Sequence, residues 1–503
     1  MADSDSHGVL SQAVREADFT RTLRPRGVVR RTGDGVAQVI GLEHIGYEEL
    51  VRFDSGALGM AFDLRTEDTG VLLLSGADAV HAGEGVVGTG RLPDLPVGPA
   101  TLGRVIDPLG NPLDDNGPLP ELPRLDLFRP APDLIERKAV DEPLRTGVLV
   151  IDAAIPVGRG QRELIIGDRN TGKTALAEDV IVAQKPGDVA CIYVVIGQAM
   201  SRVLALRETL LRMGVLQNTA IVAAEASMPP GMRYLAPYAG AAVAEWFREQ
   251  GGDALVVYDD LTKHADAYRE LSLLMDRPPG REAFPGDVFF IHAELLERAA
   301  ARNPAAGGGS VTALPLIETT ESDIAAYIPT NIISITDGQI YLDAARFARN
   351  DRPAVDIGRS VSRIGGAAQP EPVRLAARNL RILYSRFEEL ESLSRVGLEL
   401  EAGVEQEIAR GRLLRALLRQ PRLSPRGICE QVLAVLAVSE GWLDGLPTEK
   451  APRFVENLVA RVRSEEPLVA SQLERGELPD DGWLERIHAL AVGLRPVSAE
   501  EQS

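Results

Sequence analysis

Early in the chain, apolar and polar positions alternate in short bursts, as in Gly35-Val-Ala-Gln-Val-Ile40, Glu49-Leu-Val-Arg-Phe53 and Thr69-Gly-Val-Leu-Leu-Leu74, with glycine and aspartate between them. A period of two marks half-buried strands. Several such strands at close spacing predict a small antiparallel β-barrel, placed at residues 20–92. Between Pro93 and Pro132 turn residues dominate, which predicts a lead-in segment without long helices. From Leu149 to Gln369 apolar runs alternate with helical periods. Strands are expected at Glu163–Ile166, Ala190–Ile196, Ala220–Ala224, Ala254–Tyr258, Val311–Ile317 and Asn331–Thr336. That alternation predicts an α/β domain over 93–370, with a largely parallel sheet covered on both faces. The stretch Ala305-Ala-Gly-Gly-Gly-Ser310 reads as a loop. Beyond Pro372 the period becomes helical, for example in Leu375–Tyr384 and Ile408–Leu418, and a helical domain is expected over 371–503.

Composition narrows the class. The chain of 503 residues is long enough for several cores, and its 45% hydrophobic and 25% charged residues are globular averages. No apolar run approaches the roughly 18 residues of a membrane span. Met1–Gly8 has neither a basic flank nor an apolar stretch, so the expected location is cytoplasmic. A net charge of −19 disfavours nucleic acid and direct attraction to anionic lipid. Cys191 and Cys429 stand in apolar contexts without metal-ligand spacing and read as inert buried thiols; His264 and His292 read as packed or surface histidines.

The chemistry concentrates where Glu163-Leu-Ile-Ile166 leads into Gly167-Asp168-Arg169-Asn170-Thr171-Gly172-Lys173-Thr174 and then into a helical period. Strand, glycine loop and helix start in that order form a P-loop. Backbone N–H groups cradle phosphate oxygens, Lys173 reaches the terminal phosphates, and the Thr174 hydroxyl ligates Mg²⁺. The implied ligands are ATP or ADP and Mg²⁺. The apolar run Leu255-Val-Val-Tyr-Asp259 ends in acid where P-loop proteins carry the carboxylate behind the magnesium, a role assigned to Asp259.

Three longer segments carry a resemblance: Pro156 to Thr174, Arg277-Pro-Pro-Gly-Arg-Glu-Ala-Phe-Pro-Gly-Asp-Val288, and Pro353-Ala-Val-Asp-Ile-Gly-Arg-Ser-Val-Ser362. They closely resemble the α subunits of F-type ATP synthases, and the similarity runs from about Arg26 past Gln420. The resemblance implies a RecA-like central domain and an alternating hexamer with β subunits around a γ central stalk, held by a peripheral stator. The membrane ion-transporting sector is engaged indirectly, at the cytoplasmic face of a bacterial inner membrane. It also implies a site that binds ATP without turning it over, because Gln198 stands where the β subunits carry a water-positioning glutamate; an amide cannot accept a proton as a carboxylate does. Arg363, with Ser360 beside it, matches the segment that projects an arginine finger into the neighbouring β site. Arg352, Pro353 and Gln420 match the adenine pocket, but Arg422 replaces its second glutamine and removes a hydrogen-bond acceptor.

Other departures are the poor match of Met1–Thr22 to the family's opening helix, Ala-Met-Ser after Gln198, and a short region before Ser310. They point to a divergent, alternate-operon type, with H⁺ or Na⁺ as the coupled ion. Two other readings compete. An autonomous hexameric ATPase motor is opposed by Gln198, and its RNA-translocating version by the acidic charge. A free ATP sensor would stay monomeric beside a β subunit.

Overall fold

The structure, a computed structural model, describes residues 26–184, 189–395 and 402–495; the expectation about Met1–Thr22 lies outside them. Six strands come first: β1 (Arg26–Gly33), β2 (Val36–Ile40), β3 (Leu50–Phe53), β4 (Leu58–Leu64), β5 (Thr69–Ser75) and β6 (Gly85–Gly88). They pair antiparallel in the order β1-β2-β5-β4-β3-β6, and β6 returns to β1, so the barrel closes. Alternate residues such as Val29, Val39, Phe53 and Val71 fill its interior.

The lead-in is more structured than its turn residues suggest. β7 (Asp94–Pro96) and β9 (Arg124–Asp126) form a short antiparallel ribbon, and β8 (Val105–Ile106) joins the main sheet at its edge. That sheet continues with β10 (Glu163–Asp168), β11 (Val189–Gln198), β12 (Thr219–Glu225), β13 (Asp253–Asp259), β14 (Ser310–Thr319), β15 (Gly338–Leu342) and β16 (Val361–Ser362). Its order is β16-β15-β10-β14-β13-β11-β12-β8, parallel throughout except for the final β15–β16 pair. Because side chains alternate along a strand, Ile165 and Ile166 enter different cores. The first core runs through the helix Leu149–Ala154 into the C-terminal helices, and the second gathers the helix Pro230–Glu249 and reaches barrel residues Met60, Phe62 and Leu72.

One predicted strand is wrong. Asn331–Thr336 falls on the helix Tyr327–Ile335 and the residue that ends it, and the strand of this region is β15, just downstream. The isoleucines favour a strand by local propensity, but Ile328, Ile332 and Ile335 are buried at spacings of four and three, a helical stripe. Cys191, Cys429, His264 and His292 are all buried, the two histidines joined Nδ1 to Nε2 at 3.2 Å.

The helical region begins at Glu371. It is fixed to the sheet domain by polar links: the Gln431 amide donates to partly buried Asp152 at 2.7 Å, and Arg346 donates to the Tyr384 hydroxyl at 2.9 Å.

The helix Pro230–Glu249 is anchored by a buried pair. Arg298 donates to both oxygens of Glu245 at 2.8 Å and to the Leu127 carbonyl at 2.7 Å, with both side chains at most 2% exposed. Removing one partner leaves an uncompensated buried charge. Glu245→Ala is therefore expected to cost about 3–5 kcal/mol, read as a lowered thermal unfolding midpoint. An unchanged midpoint would show that Arg298 finds other partners.

Candidate nucleotide-binding site

The C-terminal end of β10 is built for a tight turn. A Cβ on Gly167 would stand 2.5 Å from the Leu342 carbonyl oxygen, so only glycine lets β10 lie against β15 there. Gly172 (φ 100°) and Asn170 (φ 61°) take the left-handed conformations that fold the loop back onto the helix Lys173–Ala183. The first N–H groups of that helix have no partner within it and face the loop. Asp168 braces the turn by accepting from the Thr319 hydroxyl at 2.6 Å and from Ser322 N–H at 2.8 Å. Burial raises its pKa, but those hydrogen bonds outweigh it and hold the carboxyl below its ordinary value. Arg169 points outward, its side chain 76% exposed.

Lys173 folds over the loop and donates to the carbonyls of Gly167 and Asp168 at 2.8 and 2.7 Å. Burial lowers its ammonium pKa, while Glu318, Asp260, Asp259 and Asp168 pull in the opposite direction. The ammonium is thus desolvated inside a ring of carboxylates and available to an incoming anion. Thr174 donates to Asp259 at 3.0 Å, and the Tyr193 hydroxyl donates to the same carboxylate oxygen at 2.8 Å. The Gln198 amide donates to the Asp259 carbonyl at 3.2 Å. Asp260 caps the helix Leu261–Leu274, and burial with the neighbouring Asp259 pushes its carboxyl up to about 7. A hydroxyl backed by a carboxylate is a donor set for a hard cation.

Beyond the loop, a cavity of about 810 Å³ runs between Thr171, Gly172 and Ala175 on one side and Phe347, Arg352, Pro353, Gln420 and Arg422 on the other. The arrangement fits a nucleoside triphosphate, with phosphates on the loop and base toward Phe347. The chain belongs to the ATP synthase alpha/beta family. The family's nucleotide-binding domain matches residues 147–362, and its C-terminal domain matches residues 369–492. The chain is 47% identical over 473 residues to ATP synthase subunit alpha of Aquifex aeolicus (strain VF5), covering 94% of each protein. It is 50% identical over 431 residues to ATP synthase subunit alpha 2 of Polaromonas naphthalenivorans (strain CJ2), covering 85% of this chain and 83% of that one. The family's domain over these residues is a nucleotide-binding one.

The geometry divides the residues expected from sequence into two groups. Gly167 to Thr174, Gln198 and Asp259 gather at the C-terminal ends of β10, β11 and β13, and Arg352, Pro353 and Gln420 line the cavity beyond. Arg363 and Ser360 are elsewhere. Ser362 pairs with Gly338 and Gly338 with Glu163, so Arg363 lies beside the N-terminal end of β10. The five residue steps from Glu163 to Asp168, at about 3.3 Å each, put it roughly 17 Å from the loop. There it is exposed, donating to the carbonyls of Asp337 and Thr336. Ser360, expected from the resemblance to act with Arg363 on a neighbouring β site, faces inward. Its side chain is buried, donates to the Asp356 carbonyl at 2.6 Å and accepts from Tyr341 N–H at 2.9 Å, so it holds the turn that carries Arg363.

Three residues were not expected from sequence. Glu318 is the penultimate residue of β14, beside Gly167, Tyr193 lies on the face of β11 that meets Asp259, and Glu178 is buried one turn beyond Thr174. An acid near the end of a strand was a usable signal for Glu318, as it was for Asp259. Lys173→Ala should lower ATP affinity about 100-fold with the fold retained, because charge-assisted hydrogen bonds contribute about 1.5–3 kcal/mol each. Equilibrium dialysis measures it, and affinity unchanged in a folded variant would remove Lys173 from the site.

Proposed function

We propose that the chain is the non-catalytic, ATP-binding α subunit of a rotary F-type ATP synthase, and that it lends Arg363 to the catalytic site of an adjacent β subunit. The observation that carries this reading is the separation of the P-loop from Arg363 at opposite ends of the sheet. Neither can complete the other within one chain, whereas an alternating ring places one subunit's arginine beside the next subunit's phosphates. The name of the relatives supports the assignment to subunit alpha.

In this reading Lys173 and the loop amides hold the phosphates, and Thr174, with Asp259 behind it, holds Mg²⁺. Gln198 stays neutral and bound to the Asp259 carbonyl, so no base activates water at this chain's own site. Arg363 offers a planar guanidinium to charge that develops on the neighbour's transferred phosphoryl group. The assembled complex couples ATP synthesis or hydrolysis to transmembrane H⁺ or Na⁺ transport as a translocase. This chain sits peripherally on the cytoplasmic side of the membrane with β, γ and stator subunits; among the described residues no helix is long and apolar enough to cross a bilayer.

Two outcomes follow. The purified chain should bind ATP yet show essentially no hydrolysis; sustained turnover abolished by Lys173→Ala would instead support an autonomous motor. In a reconstituted α–β–γ complex, Arg363→Ala should leave binding at this chain's P-loop nearly intact while steady-state hydrolysis falls by about 10³ or more. Lysine at the same position should restore little, since an ammonium lacks the guanidinium fork. Near wild-type rates from an assembled Arg363→Ala complex would refute the finger role.

A further inference from the structure

We propose that Arg202 binds the last phosphate of a nucleoside triphosphate held by this chain, and so favours ATP over ADP at the site. The proposal rests on the nucleotide-site reading and deepens it.

β11 ends at Gln198, and the helix Met200–Arg212 follows, so Arg202 stands in the first turn of that helix. Arg202 and Leu206, one turn apart, present the same helix face to a small cavity of about 110 Å³. Thr174, Tyr193 and Asp259 line the same cavity, and in that cluster both hydroxyls donate to one carboxylate oxygen. Burial and the neighbouring Asp259 hold the Tyr193 phenol well above its ordinary pKa, and the Arg202 charge is close enough to pull it the other way. The arginine therefore faces the hydroxyl and carboxylate cluster as well as Gln198.

The cations around this cavity are committed to different degrees. Arg422 is paired with Glu178, and Lys173 donates to the carbonyls of Gly167 and Asp168. Arg202 is exposed, and its side chain has no hydrogen bond or ion pair among the described residues. Its five N–H donors are all available.

In a P-loop the backbone amides cradle the inner phosphates and the lysine reaches the last two. The hydroxyl, with the acid behind it, meets the last phosphate through magnesium. Thr174 and Asp259 thus mark the side of the site on which a third phosphate lies. Gln198 and Arg202 stand on that side, and of these two only Arg202 carries a charge. A guanidinium forms charge-assisted and often forked hydrogen bonds to phosphate oxygens. The third phosphate is the one group that distinguishes ATP from ADP, so a contact made to it raises the affinity of ATP alone.

The test is equilibrium dialysis of ATP and of ADP, each with Mg²⁺, against the full-length chain. Arg202→Gln should weaken ATP about tenfold and ADP by less than about twofold. Equal losses for the two nucleotides, or an unchanged ATP affinity, overturn the proposal. Lys173→Ala should instead weaken both. If the wild-type chain binds neither nucleotide, the nucleotide-site reading itself fails, a result distinct from an Arg202→Gln variant that binds both as the wild type does.

Discussion

The parallel pairing of β10 with both β14 and β15 is the constraint on which the rest of the structure depends. Gly167 pairs with Glu318 on one side and Leu342 on the other, and Asp168 pairs with Thr319. Parallel neighbours on both sides bury β10 completely, so its hydrogen-bonding register leaves the loop no freedom to slide. The glycine at the strand end, the αL residues after it and the helix that starts at Lys173 are consequences of turning the backbone sharply in that confined place. The same register delivers the Glu318 carboxylate to the loop and orients the helix N-terminus toward the cavity.

That placement sets the electrostatics. Asp168, Asp259, Asp260 and Glu318 surround one lysine, and burial opposes charge on both Lys173 and Asp260. Hydrogen bonds already satisfy Asp168, and Thr174 and Tyr193 both serve one oxygen of Asp259. These hydrogen bonds fix the orientation of the polar groups around the loop.

Much of this was legible because strong local signals agree with the tertiary outcome. The barrel strands, the five correct sheet strands and the P-loop combine periodicity with glycine placement, and those features are written locally. Asn331–Thr336 failed because isoleucine-rich sequence suits either element, and burial from a neighbouring helix decided between them. Sequence proximity likewise does not say that Ser360 faces inward while Arg363 is exposed. Tyr193 and Glu178 depend on which strand lies beside which and on what crosses from the helical domain. The Glu178–Arg422 pair spans 244 positions, so no local pattern could announce it.

The polarity of the sheet keeps the phosphate loop and Arg363 apart. Strands that run parallel gather their loop chemistry at one end, and β16, the antiparallel strand at the edge of the sheet, carries the backbone round so that Arg363 emerges at the other. A guanidinium about 17 Å from the phosphate loop exerts a Coulomb influence there that solvent screening reduces to little, since this exceeds the Debye length of roughly 8 Å at physiological salt. Buried Ser360 fixes the turn beneath it, an investment of hydrogen bonds that a freely solvated surface arginine would not require. Held on that far edge, Arg363 lies too far from this chain's own loop to act there, and this separation is what the proposed reading rests on.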